Sequence, residues 1–456
     1  MLTKSKDPAG WDASVFEHPC SVHEQAENIE FSATCSRMRH VNRETRMTTH
    51  SVLTDEEQRL SPLQLGLLTI GLLTTAVGQS FIFAILPPLG REVNLTVLQI
   101  NTIIASSALV FSAAATVWGR MCDRIGRKPV ILIGLTGYAA GNFIFAMIFD
   151  AAMRGWIAGP LLFGLILLGR CSQAVVMSGT NPGAAAYAAD FSARKHRTKA
   201  LARLGTASSL GMIIGPIVAG ALAGFGLLFP LYTASVLAAL AALVIALKLP
   251  PGKVRETKFR TTKRLRFLDP RLRLYLLCSF GGFTGFAGLQ QTLGFRLQDM
   301  LSLSGTETAQ YTGFALMIAA LFSFAMQLFV ASRFQGRPIT LIRAGVALLM
   351  TGALIIAIPG SFVLVLVGMA CLGAGLGLAV PAIAASASLA VSHEEQGAAA
   401  GLVTACPAAG FVSGPLICGF LYEIDPTFSA LGAAAILVMV VITASRMRGN
   451  SGVDAA

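Results

Sequence analysis

Charged residues are scarce in this chain. Of its 456 residues, 13% are Asp, Glu, Lys or Arg and 54% are hydrophobic, and the mean hydropathy is +0.68. Soluble domains contain about a quarter charged residues, so too few charges are present to cover a water-exposed surface of this size. The composition excludes an ordinary soluble protein and predicts a chain that crosses a membrane many times.

Patterns that would carry enzyme chemistry or bind metal are also missing. The eight cysteines show no disulfide or zinc-ligand spacing, and no histidine falls in a long apolar run. The strings His-Glu-x-x-His, Gly-x-Ser-x-Gly and Gly-x4-Gly-Lys-Ser/Thr, which mark zinc peptidases, serine hydrolases and nucleotide-binding loops, do not occur. The sequence predicts no enzyme, no metal site and no cofactor.

The hydrophobic residues are grouped into runs long enough to cross a bilayer as α-helices, which takes about 20 residues each. A membrane barrel would show short alternating segments instead. The predicted fold class is an all-α polytopic membrane protein with twelve transmembrane helices in two pseudo-symmetric six-helix halves. The predicted helices are 63–86, 98–118, 130–149, 159–188, 200–224, 229–249, 274–298, 309–331, 339–358, 362–390, 398–421 and 428–445.

The net charge of +12 is distributed in a pattern typical of membrane topology. Lys and Arg occupy every second connection, while the connections between carry few of them. This positive-inside pattern predicts that both termini are cytoplasmic in a cell membrane, the inner membrane in a bacterium, and it argues against nucleic-acid binding. The basic segments are 119–128, 194–203, 248–273, 333–343 and 446–448.

The predicted organisation is a polar tail (1–61), a first half (62–249), a basic cytoplasmic linker (250–273), a second half (274–446) and a short tail (447–456). Cys20, His23, Cys35 and His40 of the first tail have a spacing that matches no zinc site. Met47 is an alternative start, which leaves open whether residues 1–46 belong to the native protein.

An internal repeat supports the division into halves. Six Gly and Pro residues recur with a constant offset of 199, so that predicted helices 4 and 5 correspond to helices 10 and 11. Parallel halves related by an axis along the membrane normal are typical of rocking transporters. The residues are Gly169, Pro182, Gly211, Gly215, Pro216 and Gly220, repeated as Gly368, Pro381, Gly410, Gly414, Pro415 and Gly419.

The segment from Gly119 to Lys128 is charged, although it lies between two membrane spans. Its Gly, Asp123-Arg124, Gly126 and Arg127-Lys128 match, position for position, the cytoplasmic loop signature of the major facilitator superfamily. Residues 62–446 resemble that family throughout, in its drug:proton antiporter-like branch. From the residues alone, both glycines are predicted to supply turns with positive φ.

The resemblance implies a gate. Asp123 would contact the start of helix 11 and close the cytoplasmic side, and Arg127 would pair with the acid that ends helix 4, here Asp190. The alternative is that these charges only fix topology. The predicted gate and latch residues are Gly119, Asp123, Arg124, Gly126, Arg127, Lys128 and Asp190.

Helix 5 contains the string Gly211-x3-Gly215-Pro216-x3-Gly220. Small residues at this spacing allow helices to pack backbone to backbone, and proline bends the helix. The string resembles the family's antiporter signature, Gly-x3-Gly-Pro-x2-Gly-Gly, except that Ala219 replaces the first Gly of the final pair. It predicts export, or tight packing alone. The packing residues are these four and Gly410, Gly414, Pro415 and Gly419.

Candidate residues for proton coupling or substrate binding lie in helices 4 and 7. Arg170 is about 16 Å from the start of helix 4 and, with Gln173, resembles the family's Arg-x-x-Gln-Gly motif with Ala174 in place of Gly. A buried tie between helices is the alternative for Arg170. In helix 7 the candidates are Gln290, Gln291 and Asp299; for Asp299 an ion pair with Arg296 is equally compatible.

Helix 1 contains no Asp or Glu within 63–86, whereas many drug exporters of the family have an acid there. A cationic substrate usually requires such a carboxylate, so zwitterionic, neutral and anionic polar substrates stay open, with Arg170 as a possible counter-charge.

The predicted function is alternating-access efflux of a small molecule in exchange for protons, without a cofactor and with the proton gradient as energy source. The halves would rock about a cavity lined by helices 1, 4, 7 and 10. The expected partners are a small-molecule substrate, protons and the lipid bilayer, and the chain is expected to be a monomer. The alternative is a facilitator or proton symporter for uptake of a polar metabolite.

Overall fold

The computed structural model describes residues 60–192, 196–251, 265–266, 269–331, 333–392 and 394–447. The cysteines and histidines of the N-terminal tail, most of the predicted linker and nearly all of the C-terminal tail therefore lie outside the described residues.

Twelve long helices make up almost all of the described chain, which contains no strand. All except α7 are long and apolar enough to cross a membrane, and α7, with 29 residues, is also long enough. The predicted all-α polytopic membrane fold is confirmed. The helices are α1 (Pro62–Glu92), α2 (Val97–Ile125), α3 (Arg127–Met153), α4 (Gly159–Asp190), α5 (Arg197–Ala223), α6 (Phe229–Lys248), α7 (Arg273–Leu301), α8 (Gly305–Ala331), α9 (Pro338–Ala357), α10 (Phe362–Leu389), α11 (Gln396–Ile424) and α12 (Pro426–Ser445).

Large apolar side chains cover much of the outer surface of this bundle. Leu168 in α4, Leu247 in α6 and Met439 in α12 are about two-thirds exposed or more, and many Leu, Ile, Val and Phe side chains resemble them. An apolar patch of this extent on a water-soluble monomer would be unusual. The outer surface is therefore suited to contact with lipid.

Two helices differ from the prediction near prolines. α1 was expected to end at residue 86, but it continues through Pro87 and Pro88 to Glu92. Pro87 packs against Gly294 of α7, where a Cβ atom would lie 2.8 Å from the proline ring. α4 is interrupted at Ser178 because Pro182, four residues later, has no N–H to donate to that carbonyl.

The repeated glycines of α5 and α11 allow each helix to contact the first helix of its own predicted half. A Cβ atom at Gly215 of α5 would lie 2.7 Å from the carbonyl oxygen of Val77 in α1. A Cβ atom at Gly414 of α11 would lie 2.8 Å from the amide nitrogen of Gly288 in α7. Only glycine permits this approach of two backbones. The same holds for the preceding glycine of each motif, Gly211 and Gly410.

The last glycine of each repeat contacts a helix of the other predicted half. A Cβ atom at Gly220 of α5 would lie 2.9 Å from the Cα atom of Gln310 in α8. At Gly419 of α11 it would lie 3.0 Å from the Cβ atom of Asn101 in α2. α5–α8 and α11–α2 are therefore equivalent contacts, in agreement with the offset of 199.

These contacts lie at one end of the bundle only. Glycines toward the other ends of α2, α5 and α11 have no neighbouring heavy atom within 4 Å of a Cβ position; they are Gly119, Gly205, Gly397 and Gly401. The helix pairs thus separate toward the end of the bundle that carries Arg127, Lys248 and Arg273. We call this end the basic face, and the end that carries Glu92 and Ile424 the opposite face.

Cations at the basic face tie equivalent helix pairs together. Lys128 at the start of α3 donates to the carbonyl of Ala246 near the end of α6 (2.8 Å). Arg343 in α9 donates to the carbonyls of Ala444 and Met447 at the end of α12 (3.2 and 2.7 Å). A cation at a helix C-terminus is favourable because the last carbonyls have no intrahelical donor. α3–α6 and α9–α12 are stabilised in the same way.

The glycine contacts predict a difference between two substitutions in α5. Gly215→Ala should lower the free energy of unfolding by about 1–3 kcal/mol, the usual cost of overpacking, because the new methyl group meets the Val77 carbonyl. Gly205→Ala is the control, since its methyl group enters open space. The measurement is the thermal midpoint of the purified protein in detergent. Equal midpoints for the two variants would contradict the packing role of Gly215.

Candidate functional site

A cavity of about 480 Å³ lies among α1, α2, α4, α5 and α11. Three phenylalanines, Phe83, Phe111 and Phe411, form part of its wall, and Arg170 is the one charged residue among those that line it. Its α11 residues lie between Thr404 and Phe411, on the basic-face side of the Gly414 and Gly419 contacts. The cavity therefore occupies the space where the helix pairs separate, and it is closed toward the opposite face.

α7 and α10, which are expected to line the cavity, contribute none of the residues that line it in this conformation. Gln290 and Gln291 of α7 are buried, Gln291 completely, and neither is among the cavity residues. α7 packs closely along α11 through Gly288 and Gly414, so its amides lie between helices. α1 and α4 line the cavity as expected, and they are joined by α2, α5 and α11.

Arg170 is held at the cavity wall by two amide oxygens. Its guanidinium donates to Gln173 in the same helix and to Gln79 of α1 (3.3 Å). The side-chain nitrogen of Gln173 donates in turn to the carbonyl of Tyr138 in α3 (3.3 Å). Gln173 thus orients Arg170, and the cation faces no carboxylate among the described residues.

Arg127 is the centre of a charge cluster at the basic face. Its side chain is 3% exposed, and its nitrogens lie 2.6 Å from Asp190 at the end of α4 and 3.1 Å from Asp123 in α2. It also donates to the carbonyl of Cys122 (3.0 Å). The pair of Arg127 and Asp190 that the resemblance implies is present, and both Asp residues are fixed by one cation.

The segment 119–128 is less of a loop than expected. α2 continues to Ile125, so that Gly119 and Asp123 are helical, and the prediction that Gly119 supplies a turn with positive φ is wrong. Gly126 alone makes the turn, with φ of 92°. Arg124 is exposed.

The start of α11 is held by a different ion pair in this conformation. Arg271 binds Asp269 (2.9 Å) and Glu395 (3.0 Å), which directly precedes α11. Hydrogen bonds from Arg271 hold the pKa of Asp269 and that of Glu395 below their usual values. Asp123 bonds Arg127 instead, so its implied contact with helix 11 is not formed here.

The opposite face is closed by a cluster that joins three helices. Arg91 at the end of α1 makes a two-point ion pair with Asp299 of α7, with one contact at 2.8 Å. The hydroxyl of Tyr422 in α11 donates to the same carboxylate (2.6 Å). The Arg91 guanidinium lies 5.3 Å from the ring centroid of Phe295. We call Arg91, Asp299 and Tyr422 the outer lock.

The sequence did not identify the outer lock. The expected ion pair of Asp299 with Arg296 is not formed, because Arg296 donates to the carbonyls of Ala357, Ile358 and Pro426 at 3.3–3.4 Å. The pairing with Arg91 depends on how α1 and α7 meet. The one signal in the sequence is that Arg91 and Asp299 each lie near the end of a predicted helix.

The sequence profile of the Major Facilitator Superfamily matches residues 68–415. Multidrug resistance protein 1 of Bacillus subtilis (strain 168) is 27% identical over 373 residues, which cover 80% of this chain and 91% of the relative. Quinolone resistance protein NorA of Staphylococcus aureus (strain MRSA252) is 23% identical over 401 residues, which cover 85% and 98%.

Solved transporter structures share the fold. The nucleoside transporter NupG has a TM-score of 0.68 at 15% identity and covers 85% of this chain and 100% of its own. A bacterial homologue of the human lysosomal transporter Spinster, inward-facing and occupied, has a TM-score of 0.65 at 16% identity, covering 85% and 98%. At these identities the likeness concerns the fold alone. With a profile match over most of its length, this chain belongs to the Major Facilitator Superfamily and is a membrane transporter, not an enzyme.

Proposed function

We propose that this transporter exports a small molecule by alternating access, in exchange for protons. The observation that carries the proposal is the cavity, which lies between helices that touch near the opposite face and separate toward the basic face. Such a cavity opens to one side of the membrane at a time if the contacts near one face break when contacts at the other face form. The names of the relatives, for multidrug and quinolone resistance, favour export.

The basic face is cytoplasmic in this proposal. Lys128, Lys248 and Arg273 lie at this face together with the starts of α5 and α9, whereas the opposite face contains Arg91 and Arg154. Cytoplasmic loops of membrane proteins are enriched in Lys and Arg. The conformation described here is then inward-facing, with the cavity open to the cytoplasm in an inner membrane.

The moving bodies are the halves 62–249 and 274–446, joined by the basic linker 250–273. Their contacts in this conformation are α5–α8 and α2–α11 near the opposite face, together with the outer lock. Opening toward the outside requires that these contacts separate while the basic ends of α2 and α11 approach. Rocking of two such bodies around a central site is a general mechanism of secondary transport.

In the outward-facing state the Arg127 cluster completes the cytoplasmic gate. Arg127 holds Asp123 at the basic end of α2. The Asp123 side chain is 37% exposed, and its ion pair with Arg127 fixes its orientation. An approaching helix start offers unpaired N–H groups and a positive partial charge to a carboxylate. Asp123 then contacts the start of α11, as the resemblance implies.

Protons act on the carboxylates that the two gates use. Asp299 pairs with Arg91 and Tyr422, and Asp190 pairs with Arg127. Protonation removes the charge on which each ion pair depends. The gates thereby open in response to the proton gradient, and no cofactor is required. The transporter acts as a monomer on its small-molecule substrate.

Proteoliposomes with a preset pH gradient test this function. Drugs and polar metabolites are added one by one, and an internal pH dye reports proton movement. Collapse of the gradient triggered by a compound, together with movement of that compound against its own gradient, is the expected result. A compound that equilibrates without any proton movement would make the protein a facilitator and would exclude proton exchange.

The gate predicts that Asp123→Asn inserts and folds normally but loses most transport, since a half-exposed carboxylate contributes little to stability. Asp150→Asn is a matched control. Asp150 has the same side-chain exposure, 37%, and pairs with an arginine four residues away, but it lies on the opposite face. Flux is measured in proteoliposomes at equal protein content. Near-normal flux in Asp123→Asn would exclude the gate role.

The outer lock predicts that Asp299→Asn increases access to the cavity from the opposite face. An exposed ion pair contributes about 0.2–1 kcal/mol, so the outward-open fraction should rise about 1.5- to 5-fold. The readout is the labelling rate of Ser107→Cys, a cavity residue of α2, by an impermeant thiol reagent, after replacement of the eight native cysteines. Asp150→Asn serves again as control, and unchanged labelling in Asp299→Asn would contradict the lock.

A further inference from the structure

Three arginines are buried in the part of the chain that the structure describes, and two of them have strong acceptors. Arg127 lies against the carboxylates of Asp123 and Asp190. Arg296 is surrounded by three backbone carbonyls, two of them at the end of α9, where the helix dipole is negative. Both cations are therefore compensated by the protein.

The third, Arg170, is not compensated in this way. It is 3% exposed, and its acceptors are the neutral amides of Gln79 and Gln173. An unpaired charge inside a membrane protein is costly and is kept where it pairs with something else or serves a function. Of the three, Arg170 is also the one that lines the cavity.

No other ionisable group of the described residues lines the cavity. Hydroxyl and amide side chains, including Thr75, Ser107 and Asn181, provide neutral hydrogen bonds, and Phe83, Phe111 and Phe411 provide apolar surface. The Asp and Glu residues of the described helices lie near helix ends, away from the middle of the membrane, where Arg170 is placed. A bound cation would therefore meet a positive charge without a carboxylate nearby.

We propose that Arg170 is an anion-binding subsite and that the transported molecule is a small amphiphile with one anionic group, such as a carboxylate, on an apolar, aromatic body. The inference rests on the proposed transport function and specifies its substrate class. The anion supplies the counter-charge that the protein lacks. The aromatic body lies against the phenylalanines, and a cavity of about 480 Å³ falls in the size range of sites for drug-sized ligands, about 300–1,000 Å³.

Neutral side chains hold Arg170 in place at the cavity wall. Gln173, anchored on the Tyr138 carbonyl, fixes one side of the guanidinium, and Gln79 of α1 fixes another. A guanidinium has five N–H donors in a planar fork that matches a carboxylate. Two of these donors bond Gln79 and Gln173, and a carboxylate in the cavity would bond to others.

The test compares three probes with the same body: 1-pyrenebutyrate, its uncharged amide, and the corresponding primary amine as cation. The affinity of each probe for the purified full chain is measured in an uncharged detergent, and binding to the micelle without protein gives the background. A hydrogen bond to a charged group is worth about 1.5–3 kcal/mol, so the carboxylate should bind about tenfold or more tightly than the amide, and the amine most weakly. Equal affinities for the three probes would overturn the proposal.

Variants identify the residue responsible. Gln79→Glu changes shape little and places a carboxylate beside Arg170, so it should abolish the preference for 1-pyrenebutyrate even if Arg170→Gln does not fold. Arg154→Gln, which removes an exposed arginine of the opposite face, should leave the preference intact. A preference that survives in Gln79→Glu would also overturn the proposal.

Flux of the same probes in proteoliposomes separates this inference from the proposed function. Carboxylate binding that depends on Arg170, without transport of any probe, would support the anion subsite and contradict the transport proposal. Transport of the amine or the amide at a rate equal to that of the carboxylate would retain the transporter and exclude the anionic substrate class.

Discussion

The close approach of backbones at the glycines of α5 and α11 is the constraint on which the rest of this structure depends. Each helix contacts the first helix of its own half through two glycines and the second helix of the other half through a third. A methyl group at Gly215 or Gly414 would meet backbone atoms, so the side-chain-free surface is required by geometry. The same two helices thus build the halves and connect them, and the cavity forms where the connecting contacts end.

Charge in a low-dielectric environment is the second constraint. The buried arginines Arg127 and Arg296 are compensated by carboxylates or by carbonyls at a helix end. They stabilise the ends of helices, and neither cation requires a ligand as its counter-charge. Arg170 differs because its partners are neutral amides and because it faces the cavity. The proposed preference for an anion follows from this difference.

The sequence predicted what depends on local pattern. Apolar runs located all twelve helices; α1 and α2 continue six and seven residues beyond the predicted ends, and the other ends agree within four residues. The offset of 199 identified α5 and α11 as equivalent. The sequence did not predict the side-chain contacts that depend on how two helices pack against each other. The outer lock joins Arg91 to Asp299, which are 208 positions apart, and no local signal pairs them. Gln290 and Gln291 were expected in the cavity because they are polar, but the packing of α7 on α11 places them between helices. The turn expected at Gly119 is replaced by a continuous helix.

The most direct test of alternating access is a double electron–electron resonance measurement of two spin-label pairs, one at each face. Labels at Arg120 and Ala400 report the distance between the basic ends of α2 and α11, and labels at Asn94 and Ser302 report the opposite face; all four residues are exposed. Distances are compared at acidic and alkaline pH and with a transported compound. The account predicts that any condition that shortens the distance at the basic face lengthens the distance at the opposite face. Distances that change in the same direction, or a change confined to one face, would contradict it.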